Sequence, residues 1–136
     1  GIESGGSYYA SMIANKLNIP LVLYRKNDKK YAEKGNFVGV IPVKRDKVVI
    51  IDDVIVSGGS VEPAINSLRS LGCQIYVNAI FSYGHEDYLK KRLSINVNSV
   101  TNINIFLNVA FNEKILSEKD FNFLKDFISQ QRKKFV

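Results

Sequence analysis

The 136-residue sequence has one cysteine, one histidine, three prolines and no tryptophan. Its single cysteine, Cys73, cannot form a disulfide within the chain, which excludes a disulfide-stapled fold and favours a reducing compartment. Long hydrophobic runs are also missing. No window approaches ~18 consecutive apolar residues, so the sequence excludes a membrane-spanning helix. We therefore expect a cytoplasmic protein with no membrane partner.

Charge favours an anionic partner, because 19 Lys and Arg residues against 13 Asp and Glu leave a net charge of +6. Nucleic acid and phosphorylated metabolites both satisfy that condition. The strongest basic cluster, residues 132–134, closes a predicted helix, where positive charge suits the helix dipole. Since no basic surface is interleaved with aromatic residues, nucleic acid is the less favoured partner.

Apolar runs alternate with segments of helical period, which predicts one α/β domain with a mostly parallel sheet flanked by helices. The predicted strands are residues 21–24, 48–51, 75–81 and 103–109, with an extended arm at 37–43. The predicted helices are residues 7–17, 60–71, 86–93 and 117–133. Ser7 is the expected cap of the first helix, and Ser117 with Asp120 forms an imperfect capping box on the last. The expected buried stripes are Tyr8, Met12 and Ile13 on the first helix and Val61, Ile65 and Leu68 on the second.

Residues 48–61 contain the most informative pattern, a β-branched run followed by Asp52 and Asp53 and then by a turn rich in serine and glycine. Paired carboxylates at the carboxyl end of a parallel strand can accept hydrogen bonds from two vicinal hydroxyls, as in a ribose. Backbone N–H groups of a glycine turn at a helix N-terminus can bind a phosphate. The alternative is that the acids cap a helix and the glycines only make a turn. Neither Gly-Lys-Ser/Thr nor Gly-x-Gly-x-x-Gly is present.

Two further segments suit an anionic ligand. The glycine-rich residues 1–7 allow backbone amides to approach an anion closely, although such turns are common without ligands. Residues 26–36 have little apolar periodicity and several cations, which predicts a mobile exposed loop. Such a loop can close over a departing pyrophosphate, or it can be an ordinary solvated charge run.

These motifs resemble those of the type I phosphoribosyltransferases. Residues 48–61 match the phosphoribosyl-pyrophosphate signature of four apolar, two acidic and two apolar residues before a hydroxyl- and glycine-rich turn. Residues 1–7 look like the pyrophosphate loop of the family. Residues 24–35 resemble the orotate phosphoribosyltransferase loop, with Arg25, Lys26, Lys29 and Tyr31 on the matching positions and Ala32 in place of a glycine.

The resemblance implies the type I phosphoribosyltransferase fold, a homodimer, and transfer of phosphoribose from phosphoribosyl pyrophosphate to orotate with Mg²⁺ held largely by substrate oxygens. It implies catalytic roles for Lys29, Lys26 and Asp53. The residues it assigns to phosphoribosyl pyrophosphate are Ser4, Gly5, Gly6, Arg25, Lys26, Lys29, Tyr31, Asp52, Asp53, Val54, Ile55, Val56, Ser57, Gly58, Gly59 and Ser60. No protein side chain is assigned to the metal.

Two positions that the family uses for the base depart from its pattern. Val56 stands where orotate enzymes usually have a threonine, and His85 aligns with the arginine that grips the orotate carboxylate. His85 is either a weak base contact or an exposed residue at a helix start. The alternatives to orotate are therefore another nucleobase and a non-catalytic regulator that binds phosphoribosyl pyrophosphate. Residues 1–136 are expected to form one domain lacking the N-terminal hood and first core strand of the orotate enzymes.

Overall fold

The computed structural model describes residues 1–25 and 36–133, which form five helices and five strands. The helices are α1 (Gly5–Leu17), α2 (Glu62–Ser70), α3 (Glu86–Leu93), α4 (Ile103–Asn112) and α5 (Glu118–Lys133). The strands are β1 (Val22–Tyr24), β2 (Phe37–Gly39), β3 (Lys47–Ile55), β4 (Gln74–Ser82) and β5 (Asn96–Asn102). No helix within this part of the chain is long and apolar enough to cross a membrane.

The main sheet is parallel and has the order β3-β4-β5. β3 and β4 pair along their full length, so that Ile55 lies opposite Ser82 where the two strands end. α2 and α3 cover one face of this sheet, and the predicted stripe of Val61, Ile65 and Leu68 is almost fully buried there. The predicted α/β architecture with a mostly parallel sheet is confirmed.

α1 packs against β3 through small residues, and its predicted apolar stripe is wrong. The buried positions are Gly6, Ala10 and Ala14, whereas Tyr8 is 74% and Met12 70% exposed. A Cβ atom at Gly6 would overlap the carbonyl oxygen of Ile51, so glycine is required for this close approach. The helix rests on its smallest side chains because they let its backbone lie nearest to the strand.

α1 also begins two residues before the predicted start. Ser4 occupies the N-cap position without a side-chain cap hydrogen bond. The predicted cap, Ser7, instead lies in the first turn and donates its hydroxyl to the carbonyl of Ile2 at 3.3 Å. The predicted stop is confirmed, since Asn18 adopts a left-handed conformation with φ of 51° and donates to Ala14 and Asn15.

The prediction of a strand at residues 103–109 is wrong, because this apolar run forms α4. Asn102 caps the helix, its Oδ1 accepting hydrogen bonds from the backbone of Asn104 at 3.0 Å and Ile105 at 3.1 Å. The strand of this region, β5, was missed. It precedes α4 and is largely polar, with only Val97 buried in the core. A short apolar run suits either a strand or a helix, and here the cap decides for the helix.

The last two helices pack on each other, where the rings of Phe111 and Phe121 stack with their centroids 4.5 Å apart. The predicted capping box is present at the start of α5. The Ser117 hydroxyl accepts from the backbone N–H of Asp120 at 3.1 Å and donates to its carboxylate at 2.6 Å.

The short strands β1 and β2 form an antiparallel pair, and β2 covers only the first part of the extended arm predicted at 37–43. Beside β1, Ile2 pairs in parallel with Tyr24 and donates its N–H to the carbonyl of Ile51 at 3.0 Å. Residues 1–2 thus occupy one end of a groove between β1 and β3. The rest of that groove is a mainly apolar cavity of about 610 Å³ covered by α1.

Candidate active site

A polar cavity of about 390 Å³ lies at the carboxyl end of β3. Three segments meet there: the residues that lead into α1, the end of β3, and the turn that precedes α2. The lining residues are Glu3, Ser4, Gly5, Asp52, Asp53, Val54, Val56, Ser57, Gly58, Gly59 and Ser60. The structure therefore brings together two motifs that lie at least 47 positions apart in the sequence, Ser4 and Gly5 on one side and Asp52 to Ser60 on the other.

Asp52 is the buried member of the acidic pair. One carboxylate oxygen accepts the Ser60 hydroxyl at 2.6 Å, and the other accepts the backbone N–H of Asp53 at 3.1 Å. Burial raises the pKa of the Asp52 carboxyl, a shift that the Ser60 hydrogen bond opposes and the neighbouring Asp53 carboxylate increases. Asp52 thus holds the turn against the strand from within.

Asp53 is half-buried and faces the other wall of the cavity. A Cβ atom at Gly5 would overlap the Asp53 carboxylate, so the absence of a side chain at Gly5 is what lets the N-terminal segment approach the strand. The sequence does not reveal this close contact, because Gly5 and Asp53 belong to different elements. An acidic group and the start of a helix are thereby placed side by side.

The turn after β3 ends in the first turn of α2. Gly58 is buried, has a φ of 82°, and accepts backbone hydrogen bonds from Val61 at 3.1 Å and Glu62 at 2.9 Å. Ser57, Gly59 and Ser60 also line the cavity, next to the positive end of the helix dipole. The turn therefore has the composition and placement of an anion-binding site.

Three of the described residues predicted to bind substrate lie outside the cavity wall, namely Gly6, Arg25 and Ile55. The Ile55 side chain is 1% exposed and belongs to the hydrophobic core, while its carbonyl accepts from the N–H of Tyr83 at 3.1 Å. Gly6 is buried against β3. The alternation of a strand explains Ile55, because side chains on either side of it point to the opposite face.

Most of the charged loop predicted at 26–36 lies outside the residues that the structure describes. Lys26, Lys29 and Tyr31 fall outside the residues that the structure describes. Arg25, at the edge of that loop, is half-buried and donates its backbone N–H to the carbonyl of Asn36 at 2.9 Å. It does not line the cavity.

His85 was considered as an exposed residue, and that alternative is wrong because His85 is 6% exposed at the N-cap position of α3. It does not line the cavity either. Burial lowers the pKa of the imidazole, and the Arg132 guanidinium lowers it further against the opposing effect of Glu86. The ring is therefore neutral near pH 7. Val56, by contrast, is 42% exposed and lines the cavity.

A second cluster of polar groups surrounds the end of β4. Glu86 accepts hydrogen bonds from the hydroxyls of Ser82 and of Ser99, the latter at 2.7 Å. Burial alone would raise the pKa of Glu86, but these hydrogen bonds bring it below its ordinary value. Arg132 of α5 donates to the carbonyl of Tyr83 from both Nε and Nη2 at 3.3 Å.

Sequence reasoning missed Glu3 and Arg92. Glu3 lines the cavity, and its place in the glycine-rich opening segment was the available signal. Arg92 of α3 donates to the carbonyl of Ser57 at 3.0 Å and pairs with Glu62 at 3.0 Å. No local pattern pointed to Arg92, because the residues it contacts are 30 or 35 positions away.

Among the described residues, no group of three or more His, Cys, Asp or Glu side chains is arranged to hold a metal ion. The oxygen donors at the cavity are nevertheless of the kind that Mg²⁺ prefers, namely the Asp53 carboxylate and hydroxyl groups. Mg²⁺ commonly takes one or two carboxylates and completes its coordination with water and substrate phosphates. The residues present fit that mode of binding.

Comparisons with known proteins agree with this geometry. Residues 1–114 match the model of the phosphoribosyl transferase domain. The orotate phosphoribosyltransferase of Staphylothermus marinus is 31% identical over 134 residues, a match that covers 97% of this chain and 65% of the relative. The chain thus spans less than two thirds of the length of such relatives.

Solved structures show the same fold. Orotate phosphoribosyltransferase from Aeropyrum pernix superposes with a TM-score of 0.67 and 28% identity, covering 79% of this chain and 61% of that one. Leishmania donovani UMP synthase superposes with a TM-score of 0.70 and 26% identity, covering 89% of this chain and 26% of that one. The predicted fold is confirmed, and the chain belongs to the phosphoribosyl transferase domain family.

Proposed function

We propose that the protein transfers phosphoribose from phosphoribosyl pyrophosphate to orotate, forming orotidine 5′-phosphate and pyrophosphate. The main support is the single cavity that joins Asp52 and Asp53 to the Ser57–Ser60 turn and to the N-terminal segment at Ser4 and Gly5. The relatives named orotate phosphoribosyltransferase support the choice of acceptor.

Each wall of the cavity suits one part of the donor. The turn before α2 suits the 5′-phosphate, because the helix dipole and backbone amides favour an anion there. Asp53 suits the ribose hydroxyls, which donate hydrogen bonds to a carboxylate. Ser4 and Gly5 lie across the cavity at the start of α1, where a second anionic group, the pyrophosphate, is favoured.

In the proposed reaction, the bond between the anomeric carbon and the pyrophosphate oxygen breaks, and pyrophosphate leaves with the electron pair. A ring nitrogen of the base supplies the pair for the new bond and releases its proton to water or to the pyrophosphate. The protein holds the partners in line and stabilises the charge on the leaving group. We assign that stabilisation to Arg25, Lys26 and Lys29, with Tyr31 on the same loop, supplied by the neighbouring subunit of a homodimer.

Mg²⁺ is the proposed cofactor, and Asp53 is the carboxylate of the acidic pair that is open to the cavity to hold it. When bound to the donor, the ion would neutralise part of the negative charge of the pyrophosphate. Asp52 contributes differently, because its carboxylate already accepts the Ser60 hydroxyl and so keeps the turn in place. We expect these roles in the cytoplasm, in a protein without a nucleic-acid or membrane partner.

Transfer to a different nucleobase is the second candidate, and Val56 favours it. Its side chain is exposed to the cavity and offers no hydroxyl to orotate. The buried, neutral His85 also lacks the permanent charge that binds a carboxylate best. These differences concern the acceptor, because the acidic pair, the Ser57–Ser60 turn and the Ser4–Gly5 segment proposed for the donor are unchanged by them.

Pyrophosphate release is the test of the proposed function. The protein is mixed with phosphoribosyl pyrophosphate and Mg²⁺, first with orotate and then with adenine, guanine, hypoxanthine and uracil. Release with orotate is expected. Release with another base alone would change the acceptor and keep the reaction. Binding of the donor without release for any base would contradict catalysis and favour a regulator that only binds the ligand.

A further inference from the structure

Arg92, in the last turn of α3, connects three parts of the molecule. Its Nη2 donates to the carbonyl oxygen of Ser57 at 3.0 Å and lies 3.0 Å from the carboxylate of Glu62 in the first turn of α2. Its guanidinium carbon is 5.6 Å from the centre of the Tyr88 ring. One side chain thus reaches the turn before α2, α2 itself and a ring of its own helix.

The turn is packed directly against α3 at this point. A Cβ atom at Gly58 would lie 2.6 Å from Leu89 Cδ2 and 3.2 Å from Arg92 Nη2, so a larger residue would force these two side chains of α3 to shift. Gly58 also has a φ of 82°, which a residue with a side chain rarely adopts. The position of Ser57 and Gly58 therefore depends on the surface that α3 presents.

The contact with Ser57 determines the direction of the next N–H group. The peptide bond between Ser57 and Gly58 is trans, so its carbonyl and its N–H point in opposite directions. Because Arg92 holds the Ser57 carbonyl on the α3 side, the Gly58 N–H points away from α3. Gly58 itself lines the cavity, so this N–H belongs to a residue of the cavity wall.

We propose that Arg92 is a positioning residue for the anion-binding turn: by holding the Ser57 carbonyl it orients the Gly58 N–H toward a phosphate of the ligand. This inference rests on the proposed function, since it assigns the turn to the 5′-phosphate. The ion pair with Glu62 is not the main effect. Both side chains are about one-third exposed, at 34% and 37%, and exposed ion pairs contribute little to stability.

The test compares Arg92→Met and Arg92→Lys with the control Lys91→Met, which removes a neighbouring exposed cation from the same helix. Calorimetry measures the Kd of ribose 5-phosphate, a ligand that needs no turnover. We expect Arg92→Met to raise this Kd about tenfold and Arg92→Lys about threefold, because a point charge reaches the carbonyl less well than a planar guanidinium. Lys91→Met should stay within about twofold of the unchanged protein, as expected for a solvated charge.

A second measurement reports the turn without any ligand. Amide exchange, followed by NMR, should be faster at Gly58 and Gly59 in Arg92→Met than in Lys91→Met, because the turn loses the group that holds its carbonyl. If Arg92→Met does not fold, Arg92→Lys with the same two measurements provides the test.

Three results would overturn the inference. Equal ribose 5-phosphate affinities in Arg92→Met and Lys91→Met would do so. A second such result has two parts: Arg92→Lys binds ribose 5-phosphate as tightly as the unchanged protein, and the weaker binding of Arg92→Met disappears at high salt. Together they would show that Arg92 acts through its long-range charge and not by positioning the turn. If the unchanged protein binds neither ribose 5-phosphate nor phosphoribosyl pyrophosphate, the proposed function itself fails and the role of Arg92 fails with it.

Discussion

Asp53 offers its carboxylate to the cavity, whereas the carboxylate of Asp52 is occupied by Ser60 and by a backbone N–H. Replacing Asp53 by Asn keeps the shape of the side chain and removes its charge. We expect Asp53→Asn to raise the Kd of phosphoribosyl pyrophosphate about tenfold or more, as loss of a charged hydrogen-bond acceptor does, with little change in Tm. Calorimetry and thermal unfolding measure the two effects, with the exposed Asp126→Asn as the control. An unchanged Kd would refute a ribose-binding role for Asp53.

Replacing Asp52, in contrast to Asp53, is expected to change the stability of the protein. Because burial raises the pKa of Asp52 in the folded state, the folded protein binds a proton more readily than the unfolded chain does. Stability attributable to this group therefore falls as pH rises from the ordinary pKa of 3.8 to the raised value. We expect Asp52→Asn to increase Tm by a few degrees at pH 7 and to lose this advantage below the ordinary pKa. Tm values measured from pH 3 to 8 test this, and a lower Tm at pH 7 would contradict it.

At the scale of elements, α5 determines how the segment after β4 is held. Arg132 of this helix donates two hydrogen bonds to the carbonyl of Tyr83 and one to Asn104 at 3.1 Å. A Cβ atom at Gly84 would force the guanidinium to shift, and the φ of 76° at Gly84 also favours glycine. The helix therefore controls the surroundings of His85 from 47 positions away in the chain.

Arg132→Gln is expected to raise the pKa of His85, because it removes a positive charge that disfavours the imidazolium. The pKa should remain below 6.5, since burial, the larger cause of the shift, persists. His85 is the single histidine of the sequence, so an NMR titration of its ring is free of overlap. Lys119→Gln, at the exposed start of α5, is the control and should leave the titration unchanged. An unchanged His85 pKa in Arg132→Gln would show that α5 does not act on this segment.

The elements also show where sequence reasoning succeeds. α3 was predicted with its observed bounds, and the buried stripe of α2 was predicted residue by residue, because both follow one clear helical period. The prediction at 103–109 failed because a short and largely apolar run suits either a strand or a helix, and the strand β5 was missed because its residues are mostly polar. The stripe of α1 failed because packing selected Gly6, Ala10 and Ala14 over larger apolar residues.

At the scale of the whole molecule, the groove between β1 and β3 is a mainly apolar cavity of about 610 Å³. Among residues 1–25 and 36–133, Gly1 and Ile2 occupy it, pairing with β1 and with Ile51. The walls include Val22 of β1 and Val48 and Val49 of β3. The expected lack of a first core strand within residues 1–136 stays a prediction, and this groove is where we expect an extended segment to pair.

We expect a six-residue extended segment rich in Val and Ile, joined ahead of Gly1, to raise Tm by several degrees. It would bury apolar surface and add backbone hydrogen bonds on both edges of the groove. A Gly/Ser segment of equal length is the control, and binding of an apolar dye should fall only with the apolar segment. Equal Tm values for the two extended proteins would show that the groove does not accept a strand.

The sequence by itself determined the class of fold and the main chemical groups of the site. The order of a buried strand, two acids and a serine- and glycine-rich turn is local, so it places those groups at one end of a parallel strand in any fold of this class. Tertiary structure alone decided which groups hold the site in position: Gly5 against Asp53, Arg92 on Ser57, and Arg132 on Tyr83. These contacts join elements far apart in the chain, and they depend on how helices pack against strands, which no local period encodes.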